Sequence, residues 1–174
     1  MSLLSNEHTQ TKASQEAMSP QSALEMLKQG NQRFIENKVL HRDHLDQVAK
    51  TADGQYPFAA VLSCIDSRIP AEIIFDQGIG DIFSIRIAGN FINDDILGSM
   101  EFACKVAGSN TIVVLGHSSC GAVKGACDHV ELGKLTGMLA NINPAVKGVM
   151  DVTENRNSSN AAFVQKVSNL NVEL

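Results

Sequence analysis

The chain lacks the features that define several protein classes. No apolar stretch approaches the roughly 20 residues of a membrane-spanning helix. The first eighteen residues are polar, without the apolar core of a signal peptide. We therefore expect a flexible N-terminal arm over residues 1–18 and a cytoplasmic protein, or a periplasmic one if a leader has been removed. The formal net charge of -5 gives no basis for nucleic-acid binding through bulk electrostatics.

Cysteine is scarce, with only four residues in the chain. A chain of 174 residues can bury a core without disulfides, and the cysteine spacing is unlike that of a small secreted scaffold. We therefore expect reduced thiols, some of them metal ligands. Cys104 and Cys127 fall within predicted helices and are interpreted as packing residues.

Short apolar runs alternate with helical patterns along the chain. Nearly continuous apolar runs predict strands at residues 58–63, 82–87 and 111–115. Helices are predicted between and around them, at residues 71–77, 96–106, 119–132 and 161–170, with a further helix opening at Ser19 and Pro20. This order predicts an α/β fold, in which helices flank a central, largely parallel β-sheet. We predict a single domain over residues 19–174, preceded by the N-terminal helical arm.

Two polar motifs follow predicted buried strands. The first strand leads into "VLSCIDSRIP", which carries Cys64, Asp66 and Arg68, and the third leads into "GHSSCGAV", which carries His117 and Cys120. The carboxyl ends of parallel strands meet at one edge of a sheet, so these side chains are expected to lie together. Thiolate and imidazole are the ligands that Zn²⁺ prefers, and the fourth ligand is either Asp66 or water.

Each motif has a simpler interpretation when it stands alone. A single H-x-x-C is a weak metal signal, because a buried cysteine is commonly a small apolar residue. A single C-x-D-S-R can be a capped turn with a surface ion pair. The functional interpretation rests on both motifs following buried strands in one short chain.

Together, C-x-D-S-R and H-x-x-C-G resemble the β-class carbonic anhydrases. The resemblance runs from about Ser19 to about Leu132 and includes "AEIIFDQGIGDIFSIRIAGN". It implies that Cys64, His117 and Cys120 bind one Zn²⁺ per chain and that Asp66 and Arg68 form the catalytic pair. The implied activity is the reversible hydration of CO₂ to bicarbonate and a proton, by attack of zinc-bound hydroxide.

Further pocket residues are implied by resemblance to the plant-like, open-site branch of the family. Gln55 is expected to hydrogen-bond substrate, Phe83 and Phe102 to form aromatic walls, and Gly121 to offer its backbone N–H to bicarbonate. Ordinary core packing is the alternative for both phenylalanines, and a close helix–strand contact is the alternative for Gly121. The other branch builds an effector site from a tryptophan, an arginine and a tyrosine. With no tryptophan and one tyrosine, this chain resembles the open-site type.

Asp66 has two possible positions in this interpretation. Paired with Arg68 in a carboxylate–guanidinium fork, it is held off the metal and accepts a hydrogen bond from the nucleophile. Released from Arg68, it is a fourth zinc ligand that closes the site. Alternation along an extended segment directs Cys64 and Asp66 to the same side.

The predicted donor set has a consequence for the pH profile. Two thiolates cancel the charge of Zn²⁺, which makes the metal a weaker Lewis acid than zinc held by three neutral histidines. Zinc lowers the pKa of bound water toward about 7, and a weaker Lewis acid lowers it less, so we expect CO₂ hydration to rise with pH above neutrality, within roughly pH 6.5–9. Stopped-flow rates over that interval measure the profile, and a flat one contradicts the prediction.

Two other functions use the same motifs. One is hydrolysis of carbonyl sulfide or carbon disulfide on the same fold. The other is a non-catalytic zinc-binding domain whose site Asp66 closes. The chain is also short at its C-terminus relative to the family. The resemblance implies a homodimer or homotetramer that acts on CO₂ and bicarbonate, without nucleic acid or membrane.

Overall fold

The computed structural model describes residues 9–174. Three strands form one parallel sheet in the order β2-β1-β3, at β1 Ala59–Ser63, β2 Ile82–Arg86 and β3 Thr111–Leu115. The helices are α1 Lys12–Glu16, α2 Pro20–Ile35, α3 His44–Lys50, α4 Ala71–Ile74, α5 Asp94–Glu101, α6 Gly121–Cys127, α7 Gly133–Leu139, α8 Asn143–Gly148 and α9 Ala161–Glu173. A π-helical turn, Phe102–Val106, follows α5, and a 3-10 turn, Ala140–Ile142, precedes α8. The predicted α/β class is confirmed.

The central strand β1 is buried along its whole length. Its sequence, AAVLS, is the continuous apolar type expected for a strand covered on both faces. All three strands lie within one residue of the predicted bounds. Their carboxyl ends lead directly into the two polar motifs.

The helices depart further from the predicted bounds. The predicted helix over residues 119–132 ends at Cys127 because His129 adopts a left-handed φ of 52°. A separate helix, α7, then begins at Gly133. The predicted helix over residues 71–77 ends at Ile74 because Asp76 has a φ of 47°. In both places, one residue with positive φ turns the chain before the apolar pattern ends.

The contacts divide the chain into two compact units. Unit 1 contains the described residues up to Val61, together with Pro70–Ile85 and Asp95–Val113. Unit 2 contains Leu62–Ile69, Arg86–Asp94 and Val114–Leu174. The single domain predicted over residues 19–174 stays a prediction.

Unit 1 includes the described part of the predicted arm. Residues 1–8 of that arm lie outside the described residues. Helix α1 lies within the rest, and its Gln15 is buried. The Gln15 amide donates to the carbonyl of Pro57 at 2.7 Å and to that of Ala107 at 2.8 Å. These bonds fasten the described end of the arm to unit 1.

A buried carboxylate joins three segments of unit 1. Asp76 accepts hydrogen bonds from the guanidinium groups of Arg33 and Arg42 and from the backbone N–H of Leu40. Its side chain is only 2% exposed, so the two arginines supply the compensation that a buried charge needs.

Unit 2 has its own apolar core, built mainly by helices α6 to α9. Arg156 fastens the segment between α8 and α9, because its guanidinium donates to the carbonyls of Val146, Val149 and Val152. The same group lies 4.7 Å from the centre of the Phe163 ring, a cation–π contact. Among residues 9–174, no helix is long and apolar enough to cross a membrane.

Candidate metal centre

Cys64 is the first residue beyond β1, and its side chain is buried. The backbone N–H of Gly89 points at its Sγ, at 3.3 Å. Gly89 has a φ of +85°, and a Cβ there would lie 2.5 Å from the Ile142 side chain. Glycine therefore permits the turn that brings this donor to the sulfur.

His117 and Cys120 lie in the turn between β3 and α6. Ser119 has a φ of 56°, which reverses the chain so that both side chains face one point. Cys120 is the N-cap residue of α6 and is buried. Burial raises the pKa of the Cys120 thiol, and the backbone N–H groups of Val123 and Ala122 act against this by hydrogen-bonding the sulfur.

The imidazole of His117 is oriented for metal binding. Its Nδ1 lies 2.9 Å from the carbonyl oxygen of Ser118. Because a carbonyl oxygen only accepts, this bond places the proton on Nδ1 and leaves a lone pair on Nε2. That Nε2 is buried and has no hydrogen-bond partner.

These three side chains form one donor cluster. The ligand atoms of Cys64, His117 and Cys120 all lie within 4.8 Å of one another, and the two sulfurs are 3.9 Å apart. Two thiols and one imidazole, with an unpartnered buried nitrogen, fit Zn²⁺ in a tetrahedral site. Within the part of the chain that the structure describes, no other group of three His, Cys, Asp or Glu meets this criterion.

Asp66 lies beside the cluster and is paired with Arg68. The Arg68 Nε and Nη2 atoms donate to Oδ1 and Oδ2 of Asp66 at 2.9 and 2.8 Å, and the Arg68 backbone N–H adds a bond of 3.0 Å. Hydrogen bonds from the Arg68 side chain and backbone hold the pKa of Asp66 well below its usual range. Asp66 is therefore ionised at neutral pH, in the arrangement described for an open site.

The Asp66 carboxylate lies close to the imidazole of His117. Oδ2 of Asp66 lies 3.9 Å from Nε2 of His117. The carboxylate thus adjoins the donor cluster while both of its oxygens remain bonded to Arg68.

The other predicted pocket residues are distributed over both units. In unit 1, Gln55 is exposed, and the rings of Phe83 and Phe102 meet edge to face with centroids 6.3 Å apart. Phe102 is 50% exposed, so ordinary core packing does not describe it. In unit 2, a Cβ on Gly121 would meet nothing within 4 Å, so the alternative of a close helix–strand contact is wrong. Their roles toward substrate stay predictions.

Sequence reasoning missed two contributors to the site, Gly89 and Arg86. Gly89 donates to the Cys64 sulfur, and Arg86 donates to the carbonyls of Cys64 and Asp66. Both belong to "IRIAGN", a segment that the resemblance includes without giving these two residues a role. Gly89, the glycine that follows β2, is the sequence signal that could have indicated a backbone donor at this site.

A comparison with protein-family models matches residues 59–174 to the model described as carbonic anhydrase. The chain belongs to the carbonic anhydrase family. The family predicted from the two motifs is confirmed, and the donor cluster falls inside the matched region.

Individual relatives agree with this assignment. The chain is 47% identical over 119 residues to carbonic anhydrase 2 of Mycobacterium tuberculosis, a match that covers 68% of this chain and 58% of that protein. Among solved structures it resembles the β-carbonic anhydrase CcaA, with a TM-score of 0.64 and 26% identity over 86% of this chain and 76% of that one. The β-carbonic anhydrase CafA of Aspergillus fumigatus gives the same TM-score and identity over 88% and 71%. The chain thus spans little more than half of its Mycobacterium relative.

Proposed function

We propose that this chain is a zinc-dependent carbonic anhydrase that catalyses the reversible hydration of CO₂ to bicarbonate and a proton. The observation that carries the proposal is the cluster of Cys64, His117 and Cys120, with both sulfurs buried, beside an Asp66 carboxylate paired with Arg68. Membership of the family supports the reaction, and the donor set supports the metal.

Three residues of this chain would hold the metal, and a neighbouring carbonyl orients one of them. Zn²⁺, when bound, would lower the pKa of a water molecule far below its value in bulk solvent and so supply a nucleophile. Cys64 and Cys120 bring two sulfurs to the site, and the Ser118 carbonyl fixes His117 in the tautomer that leaves Nε2 available.

Asp66 acts as a fixed acceptor. Both of its oxygens accept hydrogen bonds from Arg68, and the lowered pKa keeps the carboxylate ionised. An ionised carboxylate can accept hydrogen bonds but has no proton to donate. Oδ2 lies 3.9 Å from Nε2 of His117, where it could accept a hydrogen bond from the nucleophile and so orient the nucleophile's lone pair toward carbon dioxide. Arg68 restrains the carboxylate in this role.

Asp66→Asn tests this role. The amide keeps the shape of the side chain, but it removes the charge and replaces one acceptor oxygen with a donor. We expect the rate of CO₂ hydration to fall by about 10²-fold or more, with the zinc content unchanged. Stopped-flow assay with a pH indicator and metal analysis of the same sample measure both quantities.

Ser67→Ala is the control, because Ser67 is an exposed neighbour in the same turn. It should keep the wild-type rate. A wild-type rate in the Asp66→Asn protein with full zinc would refute the acceptor role.

Parallel assays with CO₂, carbonyl sulfide and carbon disulfide test the reaction itself. Turnover of CO₂ well above the buffer rate supports the proposal. Turnover of the sulfur compounds alone refutes it in favour of a hydrolase on the same fold. Bound zinc without turnover of any of the three refutes it in favour of a closed, non-catalytic site.

The assembly and the location of the protein are both proposals. We propose a homodimer or homotetramer in the cytoplasm. Large apolar side chains exposed in unit 1, among them Phe102, Val106 and Ile112, support an interface with other copies. Light scattering and cell fractionation test the two statements.

A further inference from the structure

Arg86 is the last residue of β2, and its side chain spans the start of the C-x-D-S-R turn. Its Nε donates to the carbonyl oxygen of Cys64 at 3.0 Å, and its Nη2 donates to that of Asp66 at 2.6 Å. We propose that Arg86 is a positioning residue, which fixes the spacing between the Cys64 thiol and the Asp66 carboxylate by clamping the backbone between them. This inference deepens the proposed function and rests on it.

The strand ladder ends just before this segment. The backbone N–H of Ile87 donates to the carbonyl of Ser63 at 3.1 Å, and β1 ends at that residue. Beyond it, Arg86 supplies side-chain donors where backbone donors would otherwise continue the pairing. The guanidinium therefore continues the hydrogen bonding of β1 over residues 64–66, beyond the end of the strand.

The geometry of that segment explains why one side chain suffices. In an extended chain, the carbonyls of residues two apart point the same way, as do their side chains. The planar fork of arginine places two donors at a fixed separation, which matches two such carbonyls. Holding the carbonyls of Cys64 and Asp66 consequently also fixes the directions of their side chains.

Arg86 and Arg68 act on different parts of Asp66. Arg68 binds the carboxylate, whereas Arg86 binds the main-chain carbonyl of the same residue. Loss of Arg86 leaves the Arg68 fork in place but frees the backbone that carries both Cys64 and Asp66. Supporting bonds of this kind typically change metal affinity by about 10- to 100-fold.

The test uses Co²⁺ in place of zinc, because its visible bands report the ligand geometry directly. Arg86→Ala and Arg86→Lys are compared with wild type for Co²⁺ spectrum and for Zn²⁺ affinity by chelator competition. Lysine keeps the charge but lacks the planar fork. We expect both variants to lose affinity by about 10- to 100-fold and to show weaker, shifted bands.

Arg156→Ala is the matched control. Arg156 is another arginine of unit 2 whose guanidinium donates to main-chain carbonyls, those of Val146, Val149 and Val152, and it supports the segment after α8. Its loss should lower thermal stability yet leave the Co²⁺ spectrum and Zn²⁺ affinity as in wild type. Circular dichroism checks each variant, and Arg86→Lys decides the question if Arg86→Ala does not fold.

Two results would overturn the role of Arg86. One is wild-type spectrum and affinity in Arg86→Lys, which would mean that the fork is not needed. The other is an equal change in Arg156→Ala, which would mean a general effect of stability. Failure of the proposed function is distinguishable, since it appears as a wild-type protein with a normal Co²⁺ spectrum and no CO₂ turnover.

Discussion

Cys120→Ala abolishes zinc binding and CO₂ hydration, whereas Cys127→Ala preserves both: this is the largest effect that we expect. Cys120 supplies one of two sulfurs in a cluster whose atoms lie within 4.8 Å of one another. With one thiolate lost, the cluster keeps two ligands, fewer than the three protein ligands that a catalytic zinc site uses. Metal analysis should give close to one zinc per wild-type chain and almost none for the variant, and hydration should fall to the buffer rate.

Cys127 is a matched control because it is also buried and is the last residue of α6, the helix that Cys120 caps. Burial raises the pKa of the Cys127 thiol to about 11, so the thiol is protonated at neutral pH. Cys127 also lies outside the donor cluster. Retention of zinc and activity by Cys120→Ala would refute the assignment of the ligands. Loss of zinc from Cys127→Ala would refute it equally.

The largest expected effect on stability lies at Asp76. Asp76→Asn removes the negative charge between Arg33 and Arg42 and leaves two partly buried guanidinium groups facing a neutral amide. Breaking a buried ion pair by removing one partner typically costs about 3–5 kcal/mol. Asparagine tolerates the φ of 47° at this position, so the loss reports the charge and not the backbone. Urea unfolding of the two proteins measures the free-energy difference.

Asp46→Asn is the control, because Asp46 pairs with Lys50 on the surface of α3 and its side chain is 44% exposed. An exposed pair contributes less than about 1 kcal/mol, so this variant should unfold close to wild type. Equal losses from the two substitutions would contradict the structural role assigned to Asp76.

The stability supplied by Asp76 also depends on pH in a defined direction. Burial opposes ionisation of Asp76, but hydrogen bonds from Arg42 and Arg33 outweigh it, so the pKa lies below its usual range. A group with a lowered folded pKa stabilises above its unfolded pKa of about 3.9, and this contribution is lost as pH falls through the folded pKa. The stability gap between wild type and Asp76→Asn should therefore shrink below about pH 4. A gap unchanged from neutral to acidic pH would contradict this account.

Local sequence signals were sufficient for the strands and for the donor set. The run TIVVL predicts β3 at Thr111–Leu115, as observed, because a strand buried in a parallel sheet needs little beyond continuous apolar residues. Cys64, His117 and Cys120 were predictable because the ends of parallel strands share one edge. For the strands and the three donor residues, the local sequence pattern is enough to predict what the structure shows.

Contacts distant in sequence were not predictable in the same way. Asp76 meets Arg33 and Arg42 across 43 and 34 residues, and no spacing rule connects them. Arg86 donates to main-chain carbonyl oxygens. Because every residue has such a carbonyl, the sequence does not indicate which residues Arg86 contacts. The end of α6 depends on the backbone of His129, which neither glycine nor proline marks. These features arise from tertiary packing and not from local propensity.

We propose that one zinc, held by Cys64, His117 and Cys120, makes this chain a carbonic anhydrase. Titration of metal-free protein with Zn²⁺, followed by stopped-flow CO₂ hydration at each addition, tests it most directly. The account predicts a rate that rises linearly and breaks sharply at one zinc per chain. A protein that takes up one zinc at these residues while hydration stays at the buffer rate would contradict it.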